Sequence, residues 1–269
     1  MAPMNYTRHF IFLLALGFYA CGGSDIDPTT ATVDATDQET NPAAEGFDAE
    51  GSDARAIAIA DSVVARHGGR QAYDDARYIS WNFFGARDLV WDKEEERVRI
   101  EVPKDELIYL LDYSGGDELT GAVRKEGTEM TDPDSIQIYL QSANSMFIND
   151  SYWLVQPFKL KDSGVTLKYV GEETDPQKSR PSEVIELTFK EVGDTPGNRY
   201  RIFVDKENYR FNTWQFFRAA ADSTASLETP WNGYQQYDGI WLSGDRGGRF
   251  QLGNIAVTDE MDDAVFTQF

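Results

Sequence analysis

Arg97-Val98-Arg99-Ile100-Glu101-Val102 alternates charged and β-branched residues without a break. A period of two sends alternate side chains to opposite faces of a strand. The stretch therefore predicts a strand of an antiparallel sheet, with a charged face toward water and an aliphatic face on a core. The pattern extends on both sides. Ile79, Trp81 and Phe83 alternate with Ser80 and Asn82; Leu89 and Trp91 follow a break at Gly85; Asp92-Lys93-Glu94-Glu95-Glu96 reads as a charged hairpin tip. After Val102, Leu107–Leu111 and Leu119–Val123 continue the meander, with Gly115-Gly116 at the turn.

Helical spacing flanks this meander. Residues 57–64 (Ile-Ala-Ile-Ala-Asp-Ser-Val-Val) repeat apolar side chains at three, four and seven, and stop at His67-Gly68-Gly69. Asp132-Pro133-Asp134 is a helix start, with Asp132 as cap and Pro133 in the first turn. Ile136, Leu140, Ala143 and Phe147 then mark one face of a helix expected to reach about Asn149. The strand period returns at Val165–Val170, Val184–Phe189, Tyr200–Val204, Tyr209–Phe217, around Ile240-Trp241 and at Phe250–Val257. This predicts a mainly β (α+β) domain over 54–269, with about ten or eleven strands and two or three helices. Trp214 and Phe216 on one face of their strand, with Phe211 and Phe217 on the other, predict a sheet covered on both sides.

The N-terminus reads as an address. Phe10 to Ala20 is nearly all apolar, too short to span a bilayer at roughly 20 residues, and it fits the core of a signal peptide over 1–20. Ala20 precedes Cys21, the chain's single cysteine, and this order resembles the lipobox of bacterial lipoproteins, with Phe18 and Tyr19 where smaller residues are commoner. The resemblance implies cleavage before Cys21, its lipidation, and a membrane partner reached through that anchor. Residues 21–53 are rich in Gly, Ser, Thr, Ala and acid, and are expected to be a disordered acidic tether spanning on the order of 30 Å.

Composition narrows the chemistry. A formal net charge of −21 disfavours nucleic acid, which needs clustered Lys and Arg. Two histidines, His9 and His67, and one cysteine leave no Cys/His metal set; His67 is expected as a cap at a helix end. No phosphate loop or dinucleotide fingerprint occurs, so no cofactor is expected. Glu94-Glu95-Glu96 and Glu172-Glu173 read as solvated turn charges.

The order helix, meander, central helix, second meander is similar to the LolA/LolB superfamily of lipoprotein carriers. Residues 152–160 (Tyr-Trp-Leu-Val-Gln-Pro-Phe-Lys-Leu) and 189–197 (Phe-Lys-Glu-Val-Gly-Asp-Thr-Pro-Gly) also resemble uncharacterised outer-membrane lipoproteins near that superfamily. The resemblance implies a single curved antiparallel sheet, or incomplete β-barrel, whose concave face is covered by helices and holds acyl chains. It also implies a non-enzymatic protein of the outer membrane or periplasm. Trp81, Phe83, Trp91, Leu140, Phe147, Trp153 and Trp214 are the candidate lining of a groove for a lipid or acyl chain. Two alternatives stay open: a scaffold with a filled core, and a hydrolase built on paired carboxylates.

Overall fold

The structure is a computed structural model and describes residues 40–116, 118–190 and 197–269. The expected signal peptide, Cys21 and the first part of the tether lie outside the described residues. The helices are α1 (Ala54–Arg66), α2 (Arg70–Asp75), α3 (Pro133–Val155) and α4 (Ala264–Thr267). The strands are β1 (Tyr78–Phe83), β2 (Arg87–Asp92), β3 (Arg97–Val102), β4 (Leu107–Asp112), β5 (Thr120–Lys125), β6 (Thr128–Glu129) and β7 (Val165–Thr174). They continue as β8 (Pro181–Phe189), β9 (Arg199–Asp205), β10 (Phe211–Phe217), β11 (Leu227–Pro230), β12 (Asn232–Tyr237), β13 (Ile240–Asp245) and β14 (Leu252–Thr258).

Three antiparallel ladders follow one another: β6-β5-β4-β3-β2-β1-β14, then the hairpin β13-β12, then β11-β10-β9-β8-β7. A single bridge, Asp245–Gln251, joins β13 to β14. The Trp231 N–H donates to the Asn212 carbonyl, so the chain leaves β10 only at the junction of β11 and β12. A strand that passes from one ladder to the next in this way makes a corner. The result is a mainly antiparallel, unclosed sheet, broken twice along its length.

The alternation that opened the reading sets the first ladder. Trp81, Leu89, Ile100, Tyr109 and Val123 lie opposite one another on five successive strands and are buried in one cluster. Leu140, Ala143 and Phe147 of α3 close that cluster. In the other ladder, Tyr169, Ile185, Ile202 and Trp214 form a row covered by Ala56, Ile59, Ala60 and Val63 of α1. Each fully buried Leu, Ile or Phe contributes roughly 1.5–3 kcal/mol. A bulge between Phe211 and Thr213 returns Phe211 to the side of Trp214, where both meet Trp231, so the expected division of that strand into two apolar faces does not hold at Phe211.

Three differences from the sequence reading have physical causes. First, α3 runs to Val155, past the expected end. Asp150 and Ser151 lie on its buried face and break the apolar period, while the next strong breaker is Pro157. Second, the part of the expected tether from Asn41 to Asp53 is packed. Asp48 N–H donates to the Val165 carbonyl and Asp53 N–H to the Leu167 carbonyl, while Tyr169 N–H donates to the Asp53 carboxylate. Phe47 packs on the α1 core. The segment thereby covers the edge of β7, which among the described residues has no strand on that side. Third, the charged face of β3 is partly covered: Arg97 binds Asp263, and Arg99 donates to the carbonyls of Val265 and Gln268 around α4.

Candidate functional site

α3 begins as its sequence directs: the Asp132 carboxylate accepts from the Ser135 N–H at 3.0 Å, ahead of Pro133. Its C-terminal half is pinned to the first ladder by an ion pair, in which Arg87 Nε and Nη2 donate to the two oxygens of the buried Asp150 at 2.6 and 2.8 Å. Burial raises the Asp150 carboxyl above its ordinary value, against the pull of Arg87. The C-terminal end is held by Arg246, which is fully buried. The helical partner of the Trp153 carbonyl would be the N–H of residue 157, but Pro157 has none. Arg246 Nη2 donates to that carbonyl at 2.5 Å, Nη1 donates to Ser243 Oγ at 2.8 Å, and the guanidinium lies 3.8 Å from the Trp231 ring centroid. Burial lowers its pKa to about 9.

Beside this end of α3 lies a cavity of about 520 Å³. Its lining comprises Trp91, Tyr113, Phe147, Ile148, Asn149, Ser151, Tyr152, Trp153, Lys159, Asp162, Ser163, Val165, Phe189 and Tyr200. Two aromatic clusters contribute. Trp91, Tyr113 and Phe147 pack with ring centroids 5.2 and 5.3 Å apart, and Trp91 Nε1 donates to the Tyr113 hydroxyl at 2.6 Å. Tyr152, Phe189 and Tyr200 pack with centroids 5.8–6.2 Å apart. The first cluster belongs to the ladder under α3, the second joins α3 to the other ladder.

Burial raises the phenol pKa of Tyr113 and Tyr152 well above the ordinary value, and that of Tyr200 to about 12. These hydroxyls are therefore uncharged at any physiological pH, and the aromatic walls are neutral. Among the described residues the one carboxylate in the lining, Asp162, is paired with Lys159. Of the buried acids, Asp92 pairs with Arg97 and Arg77, Asp150 with Arg87, Asp205 with Arg180 and Glu183 with Arg55, while Asp175 accepts from the Gln177 and Lys178 backbone N–H groups and the Thr213 hydroxyl, away from this cavity. The arrangement can take an apolar chain from water; among the described residues its lining does not present two free carboxyls to one substrate.

Of the candidate lining residues, Trp91, Phe147 and Trp153 reach the cavity. Trp81, Phe83 and Leu140 do not line it; they are packed into the α3 core. Trp214 is buried in the other core, with its ring 4.7 Å from Trp153 and stacked on Tyr200 at 5.0 Å. The sequence reading missed Tyr113, Tyr152, Phe189 and Tyr200. A helix carried on to Pro157 would have drawn attention to Ser151 and Tyr152, which lie between one and one and a half turns on from Phe147. His67 does cap α1, through Nδ1–H to the Val63 carbonyl at 2.7 Å. It is wholly buried among Phe158, Phe211 and Tyr234, and burial lowers its pKa to about 4.

No family model matches the chain, and no curated protein matches it. Among solved structures it is similar to a DUF1329 family protein from Desulfovibrio piger, at 16% identity over 79% of this chain and 97% of that one, with a TM-score of 0.48. It is also similar to a structure described as an outer membrane lipoprotein-sorting protein domain from Vibrio parahaemolyticus, at 12% identity, 79% and 96% coverage and a TM-score of 0.44. A LolA superfamily protein from Nitrosomonas europaea is similar at 12% identity, 78% and 97% coverage and a TM-score of 0.39.

Proposed function

We propose that the protein binds a hydrophobic ligand, a lipid or a lipoprotein acyl chain, in the aromatic cavity beside the C-terminal half of α3, and that it is not an enzyme. The cavity itself carries the reading. Its volume of about 520 Å³ lies in the range of small-molecule sites, roughly 300–1,000 Å³, and its walls are mostly aromatic and aliphatic. Each methylene moved from water into such a space contributes roughly 0.8 kcal/mol. A filled-core scaffold has no use for this space. A carboxylate hydrolase would need two free acids, and the acid of the described lining, Asp162, is paired with Lys159.

In this reading the protein works in the cell envelope, held at the outer membrane by lipid on Cys21. The apolar run 10–20 and the Ala20-Cys21 order support that placement. Mass spectrometry of organic extracts from the gently purified protein tests the binding. Reproducible co-purified lipid is expected, and a clean extract together with no uptake of added fatty acid would overturn it. Fatty-acid labelling in the native host tests the anchor, which requires that Cys21→Ser abolish the label.

A further inference from the structure

A second cavity, of about 440 Å³, shares no lining residue with the first. Arg66 and Gly68 at the end of α1, Glu207, Asn208 and Arg210 in the turn from β9 to β10, and Trp241 on β13 line it. The two guanidiniums differ from most of their kind in this chain. Arg55, Arg77, Arg87, Arg97, Arg180 and Arg199 each pair with a carboxylate. Arg66 and Arg210 pair with none among the described residues, although the chain holds 46 acids to 25 bases. The acid that lines the cleft, Glu207, is already taken by Arg180 at 2.6 Å.

Arg210 is also held in place. Its guanidinium lies 3.9 Å from the Trp241 ring centroid and 5.3 Å from that of Tyr234, and the Arg210 backbone N–H donates to the Asn208 side-chain oxygen at 2.9 Å. A guanidinium stacked on an aromatic keeps its donor edge free and loses little freedom when that edge is used. Gly68 fixes the other wall. Its φ is +116°, and a Cβ there would collide with the Gly239 carbonyl oxygen, so the end of α1 sits directly against the turn between β12 and β13. The Trp241 backbone N–H donates to the His67 carbonyl at 2.8 Å and joins the same two elements.

We propose that this cleft binds a ligand through a phosphate or carboxylate group, held by Arg66 and Arg210 together. Paired guanidinium forks match the oxygens of such groups, and each charge-assisted hydrogen bond contributes more than a neutral one. A soluble phosphorylated or carboxylated molecule and a phospholipid headgroup offer the same chemistry.

Titration of the whole protein with inorganic phosphate in about 0.15 M salt, where surface charges are screened beyond roughly 8 Å, tests the site. The readout is the indole N–H resonance of Trp241. A saturable shift is expected, with affinity weakened about tenfold or more in Arg210→Gln and in Arg66→Gln, and unchanged in Arg218→Gln. Arg210→Gln also loosens Trp241, so Arg66→Gln, at an exposed helix end, is the decisive variant. No saturable shift, or full affinity in Arg66→Gln, overturns the proposal. Sedimentation with phosphatidylcholine vesicles carrying phosphatidic acid separates the sources. Vesicle binding that is lost in Arg66→Gln supports a headgroup, and phosphate binding without vesicle binding supports a soluble ligand.

Discussion

α1 and α3 cover the two ends of the same broken sheet by different means. α1 lays down small and branched residues, Ala56, Ile59, Ala60 and Val63, against one ladder, and none of its residues lines the aromatic cavity. α3 packs Leu140 and Ala143 onto the other ladder in the same manner, but its last turns face both ladders at once. Trp153 packs against both cores, and the cavity opens there. A helix on one sheet can close with methyl groups. A helix that straddles two ladders needs long aromatic side chains to bridge them, and these leave space between their faces. The straddling end also needs polar fasteners, supplied by Asp150–Arg87 and by Arg246 on the Trp153 carbonyl.

The largest effect should come from breaking the fastener. Asp150→Ala leaves Arg87 beside a buried face without its carboxylate and should cost about 3–5 kcal/mol in urea denaturation. A loss below about 1 kcal/mol would show that the pair adds little and that α3 is held mainly by its apolar packing. Acid should then separate the two halves by sign. The His67 imidazole, at the end of α1, has a folded pKa of about 4 against an ordinary value of 6.5. The unfolded chain binds its proton more readily, so stability falls as pH drops through this window, by about 3 kcal/mol in all. His67→Phe should flatten that part of the pH profile. The Asp150 carboxyl, raised by burial, acts the other way: between its ordinary value and its higher folded value, the folded state binds the proton more readily and gains stability as pH falls.

Asp205 gives a smaller effect, in the α1 half. It accepts from Arg180 and Asn212 and from the backbone of the turn that follows, and these bonds, opposed by its burial, hold its pKa at about 2. Its stabilisation, on the order of 2 kcal/mol, is complete above about pH 4 and lost as pH falls toward 2. Asp205→Asn should therefore be less stable than the parent at pH 7 and nearly equal to it at pH 2. A gap that persists at pH 2 would assign the effect to lost packing.

What could be read in the sequence follows the same division. Strand alternation and the α1 stripe are repeated many times over, so they survive local exceptions. The end of α3 was obscured by its buried Asp150, since a carboxylate on the core face looks like the end of a stripe. The packed segment from Asn41 to Asp53 was hidden because it pairs through carboxylates and backbone groups, with Phe47 its main apolar contact. Period places Trp81, Leu140 and Trp214 on the inner faces correctly. It does not say which inner residue lacks a neighbour, and a cavity is defined by that lack. Trp91, Phe147 and Trp153 reach the cavity because they sit where the two ladders part.

The weakest perturbation is the sharpest test of that distinction. Ile148 lines the cavity from α3 and is 36% exposed, so it contributes little to either core. Ile148→Ser should leave stability within about 0.5 kcal/mol of the parent. If an acyl chain fills the cavity, it covers this side chain, and losing part of an isoleucine's burial should weaken a fluorescent fatty-acid probe by about 1 kcal/mol, near fivefold. Leu140→Ala should do the reverse, costing about 2–5 kcal/mol of stability through a void in the α3 core, with little change in probe affinity under folded conditions. If both substitutions moved stability and binding in proportion, cavity and core would be one loosely packed region. The contrast between the closed end of the sheet under α1 and the open seam under α3 would then dissolve.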